Sequence, residues 1–207
     1  MTLRRIVLLR HGQTDYNVTG RMQGHLDSVL TPVGLEQAAA VAPILAALGP
    51  DRMVSSDLRR AADTAEVVGA ACGLPVKLDA RLRETHLGRW QGLTVDEIDR
   101  DHPGAIAAWR SDPTWAPPGG ESRVAVVARS RPVVEELDAE FADGGTTSTT
   151  ALLVAHGGLI AGLVTGLLEL PTSAWPSFGG LGNCRWAVLS RRSDHPGWRL
   201  AGYNVGG

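Results

Sequence analysis

Cysteine is almost missing from this 207-residue chain, with Cys72 and Cys184 the two present. That excludes a disulfide scaffold and a zinc motif, although counting alone leaves one disulfide open. An excess of charge is missing too. Twenty Lys and Arg against 22 Asp and Glu leave a formal charge of −2 and a pI near 6.3, so no net field draws the protein to nucleic acid or to an anionic membrane, and neither partner is expected. Any anion site must be a local concentration of arginine. Long apolar runs are absent as well: after Arg4 and Arg5 only Ile6 to Leu9 precede Arg10. This falls far short of a signal-peptide core or the roughly 20 residues of a membrane span. With so few cysteines, the expectation is a cytoplasmic protein. No Gly-x-Ser-x-Gly elbow, phosphate-loop Gly-x4-Gly-Lys-Ser/Thr or His-Glu-x-x-His occurs, Cys72 falls mid-helix and Cys184 in a strand, and the six histidines lack ligand-type spacing, so neither metal nor other cofactor is expected.

What is present is globular. A hydrophobic fraction of 43% and a charged fraction of 20% lie near the averages for folded domains, and one domain over residues 1–207 is expected. Ile6 to Leu9 is a short unbroken apolar run, as in a strand buried on both faces, and it ends in Arg10-His11-Gly12. Ala151 to Ala155 repeats the design and ends in His156-Gly157-Gly158. Two such strands running into His-Gly are informative because open parallel sheets gather their chemistry at the carboxyl ends of strands. Between them, Thr31 and Pro32 start a helix reaching Leu48, Met53 to Ser55 form a strand, and a helix runs from about Asp57 to Ala71, closed by Gly73. Thr94 and Glu97 make a capping box. Ser122 caps a long helix that Pro132 should kink or interrupt, Gly144 to Thr150 is a polar connector, and a helix after His156 reaches Leu170. Arg185 to Leu189 and Trp198 to Tyr203 read as strands around a turn at Asp194 to Gly197. The alternation predicts a three-layer α/β/α sandwich with a mostly parallel central sheet. The least regular stretch, Thr85 to Glu121, is long enough for a lid or subdomain, or else a rigid surface excursion with an aromatic cluster.

The candidate site starts at the first strand end. Arg10, His11, Gly12, Gln13 and Thr14 combine a fixed cation, an imidazole and a glycine that lets backbone approach a ligand; Asn17, Arg21 and Gln23 can add donors. Alone, the stretch reads equally as a capped strand end with a satisfied histidine; the second His-Gly terminus turns it towards a site. Arg59 and Arg60 occupy a first helical turn, where positive charge is unfavourable unless an anion binds nearby, and one of the pair should be solvated surface. Glu84 could donate a proton or pair with Arg81 or Arg83. Elimination of the other chemistries leaves phosphoryl transfer by a histidine nucleophile. Neutral imidazole would attack phosphorus, arginines neutralise its oxygens, and a carboxylic acid protonate the leaving alkoxide.

Five stretches in order resemble the motifs of the histidine phosphatase superfamily, the phosphoglycerate mutase-like fold. They are Leu9-Arg10-His11-Gly12-Gln13-Thr14; Ser55-Ser56-Asp57-Leu58-Arg59-Arg60-Ala61 with Thr64-Ala65; Leu82-Arg83-Glu84 with Gly88-Arg89-Trp90-Gln91-Gly92; Gly119-Gly120-Glu121-Ser122; and Val154-Ala155-His156-Gly157-Gly158. The resemblance implies that His11 is the phosphorylated nucleophile and Glu84 the proton donor. It makes Arg10, Arg60 and His156 the phosphate pocket, with Gly157 in the same motif and Asn17 and Gln23 assisting. Thr14 to Asn17, Arg21 to Gly24, Arg83 to Gly88 and Thr114 to Pro117 leading to Arg123 are similar to a subgroup acting on a glucosylated 3-phosphoglycerate in methylglucose lipopolysaccharide synthesis. That likeness implies a metal-independent, homodimeric phosphatase of a small-molecule phosphate monoester. The sugar is then expected against the loop containing His86, Trp115 and Glu121, where an aromatic face and polar donors suit a pyranose. Leu159-Ile160-Ala161 stands where many relatives carry an arginine, so the distal pocket should be more apolar. A mutase would need a longer basic insertion than Thr85 to Glu121, and a non-catalytic phosphate-binding module would need the arginines but no nucleophile aligned with an acid.

Overall fold

The computed structural model describes residues 3–142, 149–192 and 195–206, with backbone alone at 195 and 196. The first apolar run forms β1 (Arg5–Arg10), followed by one turn of helix, α1 (Asp15–Val18), in which Thr14 and Asn17 make a capping box. α2 (Pro32–Ala46) begins at the Thr31 cap and accommodates Pro43 in its last turns. β2 (Arg52–Ser55), α3 (Arg59–Cys72) and β3 (Val76–Leu78) complete the first half. The excursion contributes α4 (Val95–Asp101) and α5 (Ala105–Ser111). The chain then runs through α6 (Arg123–Ala142), β4 (Thr150–Ala155), α7 (Gly157–Leu167), β5 (Trp186–Arg192) and β6 (His195–Val205).

The six strands lie in the order β3-β2-β4-β1-β5-β6. β3, β2, β4 and β1 are mutually parallel, while β5 and β6 add an antiparallel flank. Side chains alternate between the two faces of the sheet. Ile6, Leu8, Leu153 and Ala155 therefore join the core containing Val126, Val134, Leu159 and Leu163 from α6 and α7. Val7, Leu9, Leu152 and Val154 join the opposite core, with Ala38 and Leu45 of α2 and Ala61 and Val68 of α3. This is the expected α/β/α sandwich, and burial on both faces explains why β1 and β4 read as unbroken apolar runs.

Several boundaries differ from expectation. α3 starts at Arg59 rather than Asp57, because the Asp57 carboxylate is held by Arg83 and the Arg59 amide is capped by Asp27 from another loop. α6 runs unbroken through Pro132: Val126, Val127, Val133, Val134 and Leu137 are buried on either side of it, and that packing outweighs the one main-chain bond proline removes. α7 ends at Leu167, where the chain turns through Glu169 at φ 54°. Gly197 belongs to β6 rather than to a turn, and Thr150 opens β4. Asp194 and residues 144–148 lie outside the described residues. Cys72 is the last residue of α3, and Cys184 sits in a turn at φ 49° before β5; neither is disulfide-bonded.

The excursion has a core of its own. Leu87, Trp90, Ile98 and Ile106 are buried together, and Met22, Leu93, Trp109 and Trp115 pack on them. Trp90 is its centre at 1% exposure. Trp90→Ala is expected to lower the unfolding free energy by about 3–5 kcal/mol, the usual range for deleting a buried aromatic. Denaturant titration checks this, and a loss below about 1 kcal/mol would contradict the packing described.

Candidate active site

Parallel pairing sets the geometry. Arg10 lies opposite Ala155, and the ladder continues with the His11 amide donating to the Ala155 carbonyl at 3.1 Å. The next residues on the two strands, His11 and His156, thus stand side by side with ring centroids 5.2 Å apart. His11 Nδ1 lies 2.7 Å from the Gly12 carbonyl oxygen. A carbonyl only accepts, so Nδ1 carries the hydrogen and Nε2 keeps its lone pair. The loop is locked behind this contact: a Cβ on Gly12 would come within 2.4 Å of the Gly34 carbonyl oxygen, and one on Gly34 within 2.1 Å of the Gln13 carbonyl oxygen. Glycine is needed on both sides of that crossing.

Two guanidinium groups flank the rings. Arg60, at 1% exposure, donates to the carbonyls of Leu26 (2.7 Å) and Gly24 (2.8 Å), and Arg10 donates to that of Leu181. Their Nε groups, with His156 Nδ1, are buried without a partner, while His156 Nε2 meets the Ser56 hydroxyl at 2.9 Å. Unpaired buried donors of this kind cost about 1–3 kcal/mol each, more when charged. Asn17 faces the same cavity, its Oδ1 already accepting from the Thr14 amide (3.0 Å) and Asn183 (3.1 Å), which leaves its amide nitrogen as the available donor. Gln23 is fixed in the same way, by Ser28 on its Oε1 at 2.5 Å. Arg59 is the solvated member of its pair, 63% exposed and beside Asp63.

Glu84 does not pair with its arginine neighbours. Arg81 is bound to Asp79 and Glu136, and Arg83 to Asp57. Instead the Glu84 carboxylate accepts from the first amides of α7, Gly158 at 2.9 Å and Leu159 at 2.8 Å, and from the Thr85 amide at 2.8 Å. A carboxylate there complements the helix dipole.

Arg10, His11, Asn17, Gln23, Arg60 and Glu84 line a cavity of about 430 Å³ that extends past Arg21, Trp109, Arg110, Arg123, Ala161 and Phe178; His156 is fully buried and is not on its wall. His86, Trp115 and Glu121, expected to hold a sugar, are placed elsewhere. Trp115 lies against Trp90 with centroids 5.3 Å apart, His86 meets His25 edge-on, and Glu121 is bound to Arg129. Gln13 and Thr14 are likewise occupied, Gln13 with Thr31 and Thr14 in the α1 cap. Gly157 sits against Leu181 and the Arg10 side chain at the foot of α7. The distal wall that residue-level reading missed is Trp109, Arg123 and Phe178. Arg123 had one available signal, its place after the Gly-Glu-Ser stretch; the other two carry none. Ala161 lines the cavity together with Arg21, Arg110 and Arg123, so this end carries cations as well as apolar surface.

Burial is the main electrostatic influence. It pushes His11 and His156 well below the ordinary imidazole value, and the neighbouring Arg10 and Arg60 push in the same direction. Burial also lowers Arg60 to about 10, still protonated at neutral pH. Both histidines are therefore neutral at physiological pH. Among the described residues, no group of three or more His, Cys, Asp or Glu side chains is placed to hold a metal ion.

Comparison with known proteins identifies the family. The model of the histidine phosphatase superfamily (branch 1) matches residues 6–205. The chain is 55% identical to the glucosyl-3-phosphoglycerate phosphatase of Mycobacterium tuberculosis (strain ATCC 25618 / H37Rv), covering 99% of this chain and 96% of that one. It is 52% identical, over the same shares, to the protein of that name from Mycolicibacterium vanbaalenii. A solved structure of mycobacterial glucosyl-3-phosphoglycerate phosphatase in complex with VO3 superposes with a TM-score of 0.92 at 56% identity, covering 98% of this chain and 100% of that one.

Three depressed imidazoles, those of His11 and His156 and that of the partly buried His25, predict a pH effect of definite sign. Below about 6.5, the unfolded-state value, the unfolded chain binds protons that the folded one refuses, so stability falls as pH drops through that point and is level above it. The denaturation midpoint should be lower at pH 5.5 than at 7.5, a window above the titration of the carboxylates, and His156→Asn should shrink the difference. An unchanged or higher midpoint at pH 5.5 would contradict neutral burial.

Proposed function

Because the chain belongs to branch 1 of the histidine phosphatase superfamily, we propose that it hydrolyses a phosphate monoester through a phosphohistidine on His11, with glucosyl-3-phosphoglycerate as substrate. The observation that carries the mechanism is the pairing of a neutral His11, its Nδ1 tied to Gly12, with the unpartnered donors of Arg10 and Arg60. His11 Nε2 attacks phosphorus along its lone pair. Arg10, Arg60, Asn17 and His156 surround the phosphoryl oxygens and balance the charge that accumulates there. As the bond from phosphorus to the leaving oxygen breaks, Glu84 in its acid form gives that oxygen a proton, and the alcohol departs. Water then attacks the phosphohistidine, Glu84 takes up one of its protons, and inorganic phosphate leaves with His11 restored.

The substrate assignment is supported by the names of the relatives and by the shape of the cavity. Beyond the phosphoryl end, Arg21, Arg110 and Arg123 offer cations for a carboxylate, while Trp109 and Phe178 offer flat apolar faces for a pyranose. The Trp109 indole nitrogen is buried without a partner and would donate to a sugar hydroxyl. The reading extends to a cytoplasmic homodimer acting as one domain in methylglucose lipopolysaccharide synthesis, without metal or cofactor. Both thiols are free, no described helix is long and apolar enough to cross a membrane, and β6 is an edge strand with Leu200 and Val205 exposed, suited to cover by a second copy.

Turnover of glucosyl-3-phosphoglycerate, mannosyl-3-phosphoglycerate, 3-phosphoglycerate and p-nitrophenyl phosphate by wild type and Trp109→Ala tests this reading. Wild type should prefer the glucosylated compound, and the variant should lose about 1–3 kcal/mol more of kcat/KM on it than on p-nitrophenyl phosphate. Faster turnover of unglycosylated 3-phosphoglycerate would refute the substrate.

A further inference from the structure

We propose that Arg129 is a positioning residue for the proton donor, holding the main chain at Glu84 so that its carboxyl group stays in the cavity that His11 also lines. The inference rests on the reading of Glu84 as that donor. Residues 83–87 belong to no helix or strand, so no ladder of main-chain bonds locates Glu84. Arg129, on the buried side of α6, supplies the missing restraint. Its Nη1 donates to the Arg81 carbonyl at 2.6 Å and its Nη2 to the Glu84 carbonyl at 2.9 Å, gripping the segment on both sides of the buried Leu82. Nε and Nη2 also bind the Glu121 carboxylate, at 3.1 and 2.7 Å, and that carboxylate accepts from the His86 amide at 3.0 Å. His25 adds a second donor to the Glu84 carbonyl, Nε2 at 2.7 Å. One guanidinium thus reaches residues 81, 84 and, through Glu121, 86.

This job needs an arginine. Four of its five N–H directions are used on three acceptor groups around a rigid plane, which a single ammonium nitrogen cannot span. The Arg129–Glu121 pair is only 23% and 20% exposed, so water competes weakly with it. The far side of Glu84 is held by α7: its carboxylate sits so close to the first turn that a Cβ on Gly158 would lie 2.8 Å from Oε1. The main-chain end is thus referred to α6 and the carboxyl end to α7, two helices packed on one another in the same core. The Glu121 carboxylate, absent from the cavity wall, takes its place in this arrangement. In the chemical step Arg129 exchanges nothing. The Glu84 proton goes to the leaving oxygen as the Nε2–phosphorus bond forms, and a displacement of about 1 Å at the donor is enough to cost on the order of 100-fold in that transfer.

The test compares wild type, Glu84→Gln, Arg129→Lys and the double variant on an alkyl phosphate (glucosyl-3-phosphoglycerate) and on p-nitrophenyl phosphate, whose leaving group needs no proton. Arg129→Lys should lose about 10- to 100-fold in kcat on the alkyl ester, with KM and aryl turnover little changed, and should add nothing in the Glu84→Gln background. If Arg129→Lys does not fold, Glu121→Gln, which frees the guanidinium from its anchor, carries the same expectation. Equal losses on both substrates, or a full additional loss in the double variant, would overturn the proposal. An even loss for Glu84→Gln itself would remove the donor reading and the proposal together, whereas a selective Glu84→Gln with an unselective Arg129→Lys would remove the proposal alone.

Discussion

Parallel pairing of β1 with β4 is the constraint from which the site follows. With Arg10 opposite Ala155, the strands deliver one histidine each to the same edge of the sheet, and the rings come to 5.2 Å. A slip of one residue would turn Val7 and Leu9 towards the core now filled by Ile6 and Leu8 and carry His11 out of line with His156. Register is therefore protected by burial on both faces, the same burial that stabilises the domain. Fold stability and active-site geometry draw on one set of contacts.

Electrostatics then sets what those histidines can do. Burial beside two arginines is hostile to imidazolium, so both rings are kept neutral, and the hydrogen bond to Gly12 selects the tautomer with an open Nε2. The cost of burying Arg10 and Arg60 is only partly met by protein carbonyls, since each leaves an Nε unpaired. An incoming phosphoryl group would supply the acceptors and the negative charge that the protein withholds. Unpaired donors of this sort are destabilising before binding and become binding energy afterwards, the exchange of stability for function expected at such sites.

Much of this was legible in the residues, and the reasons are local. The runs Ile6 to Leu9 and Ala151 to Ala155, the Thr31 cap, the Gly73 stop and the Thr94–Glu97 box depend on nearby chemistry, and each appears in the structure. Long-range substitutions for local rules were not legible. Asp27 caps α3 in place of Asp57, and buried valines carry α6 through Pro132. Glu84 could not be separated from a salt-bridge role until Arg81 and Arg83 were seen to have other partners. The distal wall was the hardest part. Trp109 rather than Trp115 faces the cavity because the packing around Trp90 decides how α5 is turned, and no periodicity within residues 85–121 encodes that orientation.

The central claim is that a fixed tautomer of His11 receives the phosphoryl group. Rapid acid-free quenching during turnover, followed by proteolysis in base, tandem mass spectrometry and phosphorus NMR of the labelled peptide, locates that group to the atom. The account predicts phosphate on Nε2 of His11, because Nδ1 is committed to the Gly12 carbonyl. Phosphate on Nδ1 of His11, on His156, or water attacking the substrate with no phosphoenzyme formed would contradict it.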